Sequence, residues 1–201
     1  MPFSVDYFRS DIKNHIVRKF PSNKTTILDV GAGAGAYAKL LRSNYPSIDA
    51  CEIWPPYIEQ FKLNQLYRKV YVDNIVNTKI IFYDVIIMGD ILEHMSVINA
   101  QKTIERLSRH CTELIVVVPF ESEQEEEFHN PYEEHIQADL NPKIMHQRYG
   151  RYLQLADSAG ADKCWGYEIA LYFKKPNRLI TYQSKLNKLH LYIKNCIEST
   201  N

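Results

Sequence analysis

The run Ile27-Leu28-Asp29-Val30-Gly31-Ala32-Gly33-Ala34-Gly35-Ala36-Tyr37 constrains this chain more than any other stretch. It reads as a buried strand that ends in an acid, then a glycine turn, then a helix. Glycines at alternate positions let the backbone approach a ligand with no Cβ in the way. A helix beginning near Gly35 would aim its free N–H groups at that ligand. The result is a nucleotide-type cradle. It is not a P-loop, since no Gly-Lys-Ser/Thr follows. It also departs from the dinucleotide fingerprint G-x-G-x-x-G, because Ala36 stands at the third glycine position. Asp29, two residues before the first glycine, would repel a pyrophosphate and favours a cationic ligand. A tight strand-to-helix connection with no ligand is the plain alternative, and the following segments weigh against it.

A second strand, Ile48-Asp49-Ala50-Cys51, ends in Glu52. That is about twenty residues after the glycines, the spacing at which an acid accepts both ribose hydroxyls in a doubly wound fold. Ile53 and Trp54 follow, apolar and flat enough to lie against adenine. A third strand, Val70-Tyr71-Val72, ends in Asp73-Asn74, a polar pair able to read the adenine amino group. The fourth, Asp84-Val85-Ile86-Ile87-Met88, runs into Gly89-Asp90-Ile91-Leu92-Glu93-His94. Helical spacing of Tyr7, Phe8, Ile12, Ile16, Val17 and Phe20 predicts a capping helix over 6–20, stopped by Pro21. Strands are expected at 26–30, 48–52, 70–72, 84–88 and 114–118, and helices at 35–44, 56–66 and 96–109. A long acidic loop over 119–141 precedes a helix near 142–149 and strands near 152–156 and 167–174. Ile86-Ile87-Met88 and Leu114-Ile115-Val116-Val117-Val118 do not alternate, so they read as strands buried on both faces of a parallel sheet.

The acid-glycine turn resembles the first motif of class I S-adenosylmethionine-dependent methyltransferases, and the order of elements matches that family over roughly residues 25–175. The resemblance implies an α/β, Rossmann-like fold: a mostly parallel seven-stranded sheet with helices on both faces, closed by an antiparallel hairpin. It implies S-adenosyl-L-methionine as cofactor. Asp29, Gly31, Gly33, Gly35 and Tyr37 would cradle the methionine part, Glu52 the ribose, and Ile53, Trp54, Asp73 and Asn74 the adenine. Asp90 would lie near the sulfonium. Asp73-Asn74 departs from the Gly-Asp of many relatives, which puts the adenine contact on Asp73 or Asn74.

Methyl transfer needs an aligned nucleophile and, for a hydroxyl acceptor, removal of a proton. Asp90, Glu93 and His94 stand at i, i+3 and i+4, on one face if the segment is helical. With His135 from the loop they would hold Mg²⁺ or Mn²⁺. The acid-x-x-Glu-His cluster with a distant His is similar to that of small-RNA 2′-O-methyltransferases. The Leu-Glu-His turn is similar to that of ubiquinone-pathway O-methyltransferases. The alternative is a turn that orders the loop without metal, with Asp90 facing the cofactor. The loop over 119–141 reads as a lid, with Tyr132 and Glu133 as acceptor wall and His135, His94 and Glu93 as candidate catalytic groups. Gly89 to His94 joined to Asn130-Pro131-Tyr132-Glu133-Glu134-His135 resembles compact methyltransferases of bacterial and large-DNA-virus glycan gene sets. That implies O-methylation of a sugar or glycan hydroxyl.

The 201 residues fit one domain over 1–178 and a C-terminal helix over 179–201. The helix carries Leu186, Leu189, Ile193, Cys196 and Ile197 on one face, for packing, a homodimer or a glycosyltransferase contact. Lys+Arg and Asp+Glu are both 24, which disfavours a chain built for bulk nucleic acid or an anionic membrane. Seven acids lie between Glu121 and Glu134 with no Lys or Arg, and RNA would be repelled there. Scattered Cys51, Cys111, Cys164 and Cys196 indicate neither a zinc site nor a disulfide framework. The start Met1-Pro2-Phe3-Ser4 lacks a signal region and no apolar run reaches membrane length, so no membrane insertion and a reducing, cytoplasmic setting are expected. Rivals to the sugar reading are an RNA ribose 2′-O-methyltransferase, a small-molecule O-methyltransferase and a non-catalytic cofactor-binding scaffold.

Overall fold

The computed structural model describes residues 7–160 and 168–175. Its seven strands form one sheet in the order β3-β2-β1-β4-β5-β7-β6. β1 (Ile27–Val30), β2 (Ile48–Glu52), β3 (Lys69–Val72), β4 (Tyr83–Gly89) and β5 (Cys111–Phe120) pair in parallel. β7 (Glu168–Lys174) runs antiparallel to both β5 and β6 (Leu153–Gly160). The sheet is therefore mostly parallel with an antiparallel closing hairpin, as expected.

Side chains of a strand alternate between faces, and here both faces are covered. Leu28, Val30, Ile86, Met88, Leu114 and Val116 share one core with Ala100, Ile104 and Leu107 of α5 (Val97–Arg109) and with Met145 and Tyr149 of α6 (Pro142–Tyr149). Ile27, Val85, Ile87, Ile115 and Val117 share the other with Ile12 and Ile16 of α1 (Arg9–Lys19) and with Ala38 and Leu41 of α2 (Ala36–Leu41). Burial on both sides explains why these strands are unbroken aliphatic runs. The two longer helices on the first face start at side-chain caps. Ser96 accepts from the Asn99 amide, and Asn141 accepts from the Ile144 amide with Pro142 at the first helical position.

Three expectations change. The helix over 56–66 is two pieces, α3 (Pro55–Gln60) and α4 (Leu63–Leu66), separated at Lys62 with φ 53. Ile58 and Leu63 both reach the core, yet five residues apart they would point about 140° away from each other on an unbroken helix. The break resolves that conflict. Val17 is 48 % exposed, because α1 buries only the i, i+4 pair Ile12 and Ile16. β5 begins at Cys111 and so pairs with β4 from Tyr83 onward. The expected C-terminal helix over 179–201 lies outside the described residues. Among the described residues no helix is long and apolar enough to cross a membrane.

β1 lies between β2 and β4, and the chain leaves it in one direction and returns in the other. Such a reversal opens a crevice at the carboxyl ends of the strands. Ile86→Ala, at a fully buried position, should cost roughly 2–5 kcal/mol in urea unfolding. Ile81→Ala, at a residue 60 % exposed, should stay within about 0.5 kcal/mol of the parent.

Candidate active site

Gly31, Gly33 and Gly35 all take left-handed backbone conformations, with φ 71, 47 and 75. At Gly31 a side chain would also collide, because an added Cβ would stand 1.9 Å from Ile91 Cδ1. Opposite the turn, Glu52 is buried, and its two oxygens accept from the Gly33 amide at 2.9 Å and the Trp54 amide at 2.8 Å. Burial pushes the Glu52 carboxyl up, and these two amides oppose the rise. Each oxygen keeps further acceptor capacity for a ligand hydroxyl.

Two cavities open here, sharing Gly31, Ile53, Ile91, His94 and Tyr132 as walls. The larger, about 280 Å³, has apolar sides from Ile53, Ile75, Val76 and Met95, with Asp73 and Asn74 among its polar groups. The smaller, about 60 Å³, lies between Gly31, Gly33, Glu52, Asp90 and Glu133. Ile53, Asp73, Asn74, Glu52, Asp90, Gly31 and Gly33 thus come together. Trp54 stands beside them, edge-on to Tyr132 at 6.2 Å.

Asp29, Tyr37 and Gly35 do not line either cavity. Asp29 is 1 % exposed and accepts from the Tyr67 hydroxyl at 2.5 Å. Burial pushes its carboxyl up to about 7, against the pull of the Tyr67 bond. Tyr37 is buried against Gly89, where an added Cβ would lie 2.6 Å from its hydroxyl. Gly35 abuts Leu66. These three pack behind the turn, against Tyr67, Gly89 and Leu66.

Beyond the fourth strand, Asp90 has φ 53 and the helical turn starts only at Leu92. The expected helical face therefore does not include Asp90. It lines the small cavity instead, and its place in the proposed ligand set falls away. Glu93, His94 and His135 do converge, each offering one donor atom within 4.8 Å of the others. Glu93 is 1 % exposed, and among the described residues neither carboxyl oxygen has a hydrogen-bond partner. Burial, reinforced by Asp90, holds its pKa well above the usual carboxyl range. His94 Nδ1 lies 3.0 Å from the Glu134 carbonyl and His135 Nδ1 2.8 Å from the Ser122 carbonyl. A carbonyl only accepts, so both Nδ1 atoms carry the proton and both Nε2 atoms present lone pairs. His94 Nε2 is 3.9 Å from Glu93 Oε1. Burial lowers His94 to about 4 and lowers His135 as well, so both rings are neutral near pH 7.

The segment after β5 is an ordered roof rather than a bare loop. A 3-10 turn, Pro131–Glu133, starts from an Asn130 side-chain cap. Tyr57 donates to Glu133 Oε1 at 2.9 Å, tying the roof to α3. The Gln137 amide donates to the carbonyls of Leu92 at 2.8 Å and Met95 at 3.0 Å. Its carbonyl oxygen accepts from Tyr149 at 2.7 Å. The Asn-Pro pair is a readable helix-start signal, whereas no local pattern points to Tyr57 or Gln137.

No protein-family model and no curated protein matches the sequence. Solved structures do match the fold. An S-adenosylmethionine-dependent methyltransferase from Clostridium acetobutylicum ATCC 824 superposes with a TM-score of 0.62 at 14% identity, over 84% of this chain and 92% of that one. Magnesium protoporphyrin IX methyltransferase from Synechocystis PCC 6803, with bound SAM, gives 0.60 at 13%, over 83% and 78%. An N-methyltransferase from Bradyrhizobium japonicum WM9, in complex with S-adenosyl-L-homocysteine, gives 0.60 at 11%, over 84% and 86%. The chain has a Rossmann-like methyltransferase fold.

In this methyltransferase fold the glycine turn depends on a carboxyl that titrates near neutrality. An unfolded Asp ionises near pH ~3.9, while Asp29 holds its proton to about 7. Between these values the folded state binds more protons, so stability should fall as pH rises through that window and then level off. Asp29→Asn should remove this slope. Urea melts at about pH 5 and pH 8 should therefore show the Asn variant gaining on the parent at the higher pH.

Proposed function

We propose that this chain is an S-adenosylmethionine-dependent O-methyltransferase acting on a hydroxyl of a sugar or glycan. The observation that carries the reading is the adjacency of the paired cavities to the Glu93–His94–His135 cluster through the shared His94 wall. The larger cavity fits adenine between Ile53 and Met95, with Asp73 and Asn74 for its polar edge. Glu52 is set to accept the ribose hydroxyls. The small cavity, with Glu52, Asp90 and Glu133 on its walls, suits the cationic methionine end. When bound, the cofactor supplies an electrophilic methyl group on a sulfonium.

The chain's own residues then orient the acceptor and handle its proton. Two neutral imidazoles and one carboxyl with orphaned oxygens fit a divalent cation, which would provide Glu93 with the counter-charge that burial otherwise denies it. Glu93, His94 and His135 would hold Mg²⁺ or Mn²⁺, and the two imidazoles favour Mn²⁺. Such an ion makes a nearby hydroxyl easier to deprotonate. Half-exposed Tyr132 and exposed Ile136 line the larger cavity beside these groups, an apolar surface next to polar ones of the kind a sugar face needs. The six exposed or partly exposed acids of the roof disfavour an RNA acceptor.

Glu52→Ala should weaken binding of S-adenosylhomocysteine by roughly 2–4 kcal/mol if both ribose hydrogen bonds are charge-assisted. Unchanged affinity in calorimetry would remove the ribose assignment. With a sugar acceptor in hand, excess chelator should abolish turnover and Mn²⁺ should restore it. His135→Ala should lower turnover by about 10²–10⁴-fold, partly recovered at high Mn²⁺, while binding of the cofactor product persists. Full activity in chelator would leave His135 as a metal-free base.

A further inference from the structure

Of the seven acids between Glu121 and Glu134, only Glu133 is buried, at 7 % exposure. It does not face bulk solvent with the others. Together with Asn130 and Tyr132 it forms the roof side of the small cavity whose floor is Gly31 and Gly33. Two side chains aim it. The Tyr57 hydroxyl donates to Oε1 at 2.9 Å and the Asn130 amide donates to the same oxygen at 3.3 Å. Its carbonyl is held by Gln124 Nε2 at 2.6 Å, and the adjacent Tyr132 ring stands edge-on to Trp54. The carboxylate is thus delivered by the roof to the cavity assigned to the methionine end. Asp29, the acid expected there, is sealed behind the turn.

We infer that Glu133 is the roof's contact to the α-ammonium of the cofactor, aimed by Tyr57. The inference rests on the proposed cofactor. A carboxylate paired with an ammonium in a site shielded from water is worth more than the same pair in solvent. Tyr57 is here a positioning residue and Glu133 a binding residue.

The test uses two probes that differ in the amino-acid end. S-adenosylhomocysteine carries the ammonium, and 5′-methylthioadenosine lacks it. Titration calorimetry on the full chain should show Glu133→Gln losing at least tenfold in affinity for S-adenosylhomocysteine and staying within twofold of the parent for 5′-methylthioadenosine. Tyr57→Phe keeps its ring against Phe61 at 5.3 Å and should show a smaller loss confined to the same probe. Equal losses on both probes would make Glu133 a structural latch and overturn the inference, as would no loss on either. If Glu133→Gln does not fold, Tyr57→Phe is judged by the same criterion. A parent protein that binds neither probe would overturn the cofactor reading itself, a result distinct from a parent that binds both while the variants do not discriminate.

Discussion

The Gln137 side chain is the tie on which the site hangs. The turn Leu92–His94 is one short 3-10 segment that meets the Ile91 and Leu92 carbonyls with its own His94 and Met95 amides but leaves the carbonyls of Glu93 and Met95 to other partners, and buried backbone groups need partners. Gln137 meets that need: its backbone N–H reaches the Glu93 carbonyl at 2.9 Å, and its side-chain amide donates to the Met95 carbonyl and adds a second donor to that of Leu92. Tyr149 and Arg148 of α6 then hold the other end of the amide. Turn, roof and α6 are therefore one hydrogen-bonded body. That rigidity is what lets Glu93 remain buried with unsatisfied oxygens, a state that a looser surrounding would relieve by letting water in.

The other half of the cleft is built by steric exclusion. Ile91 occupies the space over Gly31 that any side chain at that position would need. The same Ile91 forms a wall of both cavities. Its placement follows from Asp90, whose left-handed backbone turns the chain sharply at the end of β4. Two backbone anomalies on neighbouring strands thus cooperate. A glycine turn after β1 makes room, and a strained acid after β4 directs an aliphatic side chain into part of it. Strain gathered at a cleft is a common accompaniment of function.

Much of the fold was legible because its signals are local. The unbroken aliphatic runs of β4 and β5 declare burial on two faces, and the helix expected near 142–149 is α6. The break at Lys62 was not legible, since it answers to where Ile58 and Leu63 must point in three dimensions. The site divides the same way. Gly31, Gly33 and Glu52 were readable from spacing along parallel strands, and the meeting of Glu93, His94 and His135 from residue type. Asp29 was expected to face a ligand; sequence shows an acid but not the Tyr67 hydroxyl that covers it. Asp90 was misread by extending a helical period one residue pair too early. Tyr57 and Gln137 act across long stretches of chain, where no pattern of neighbours announces them.

The position of β7 has a consequence for how the chain is made. It is the last described strand in sequence, yet it lies inside the sheet, between β5 and β6. During synthesis at ~5–20 residues per second, roughly fifty residues must emerge after β5 before its outer edge is paired, a wait of several seconds. For that time a nearly all-apolar ten-residue strand presents open amides and carbonyls, the arrangement that recruits other chains. The segment that emerges next carries the seven acids. Its charge gives the nascent chain a repulsive collar beside its stickiest edge, so the stretch that later roofs the cleft also acts as a solubility guard before the sheet is closed.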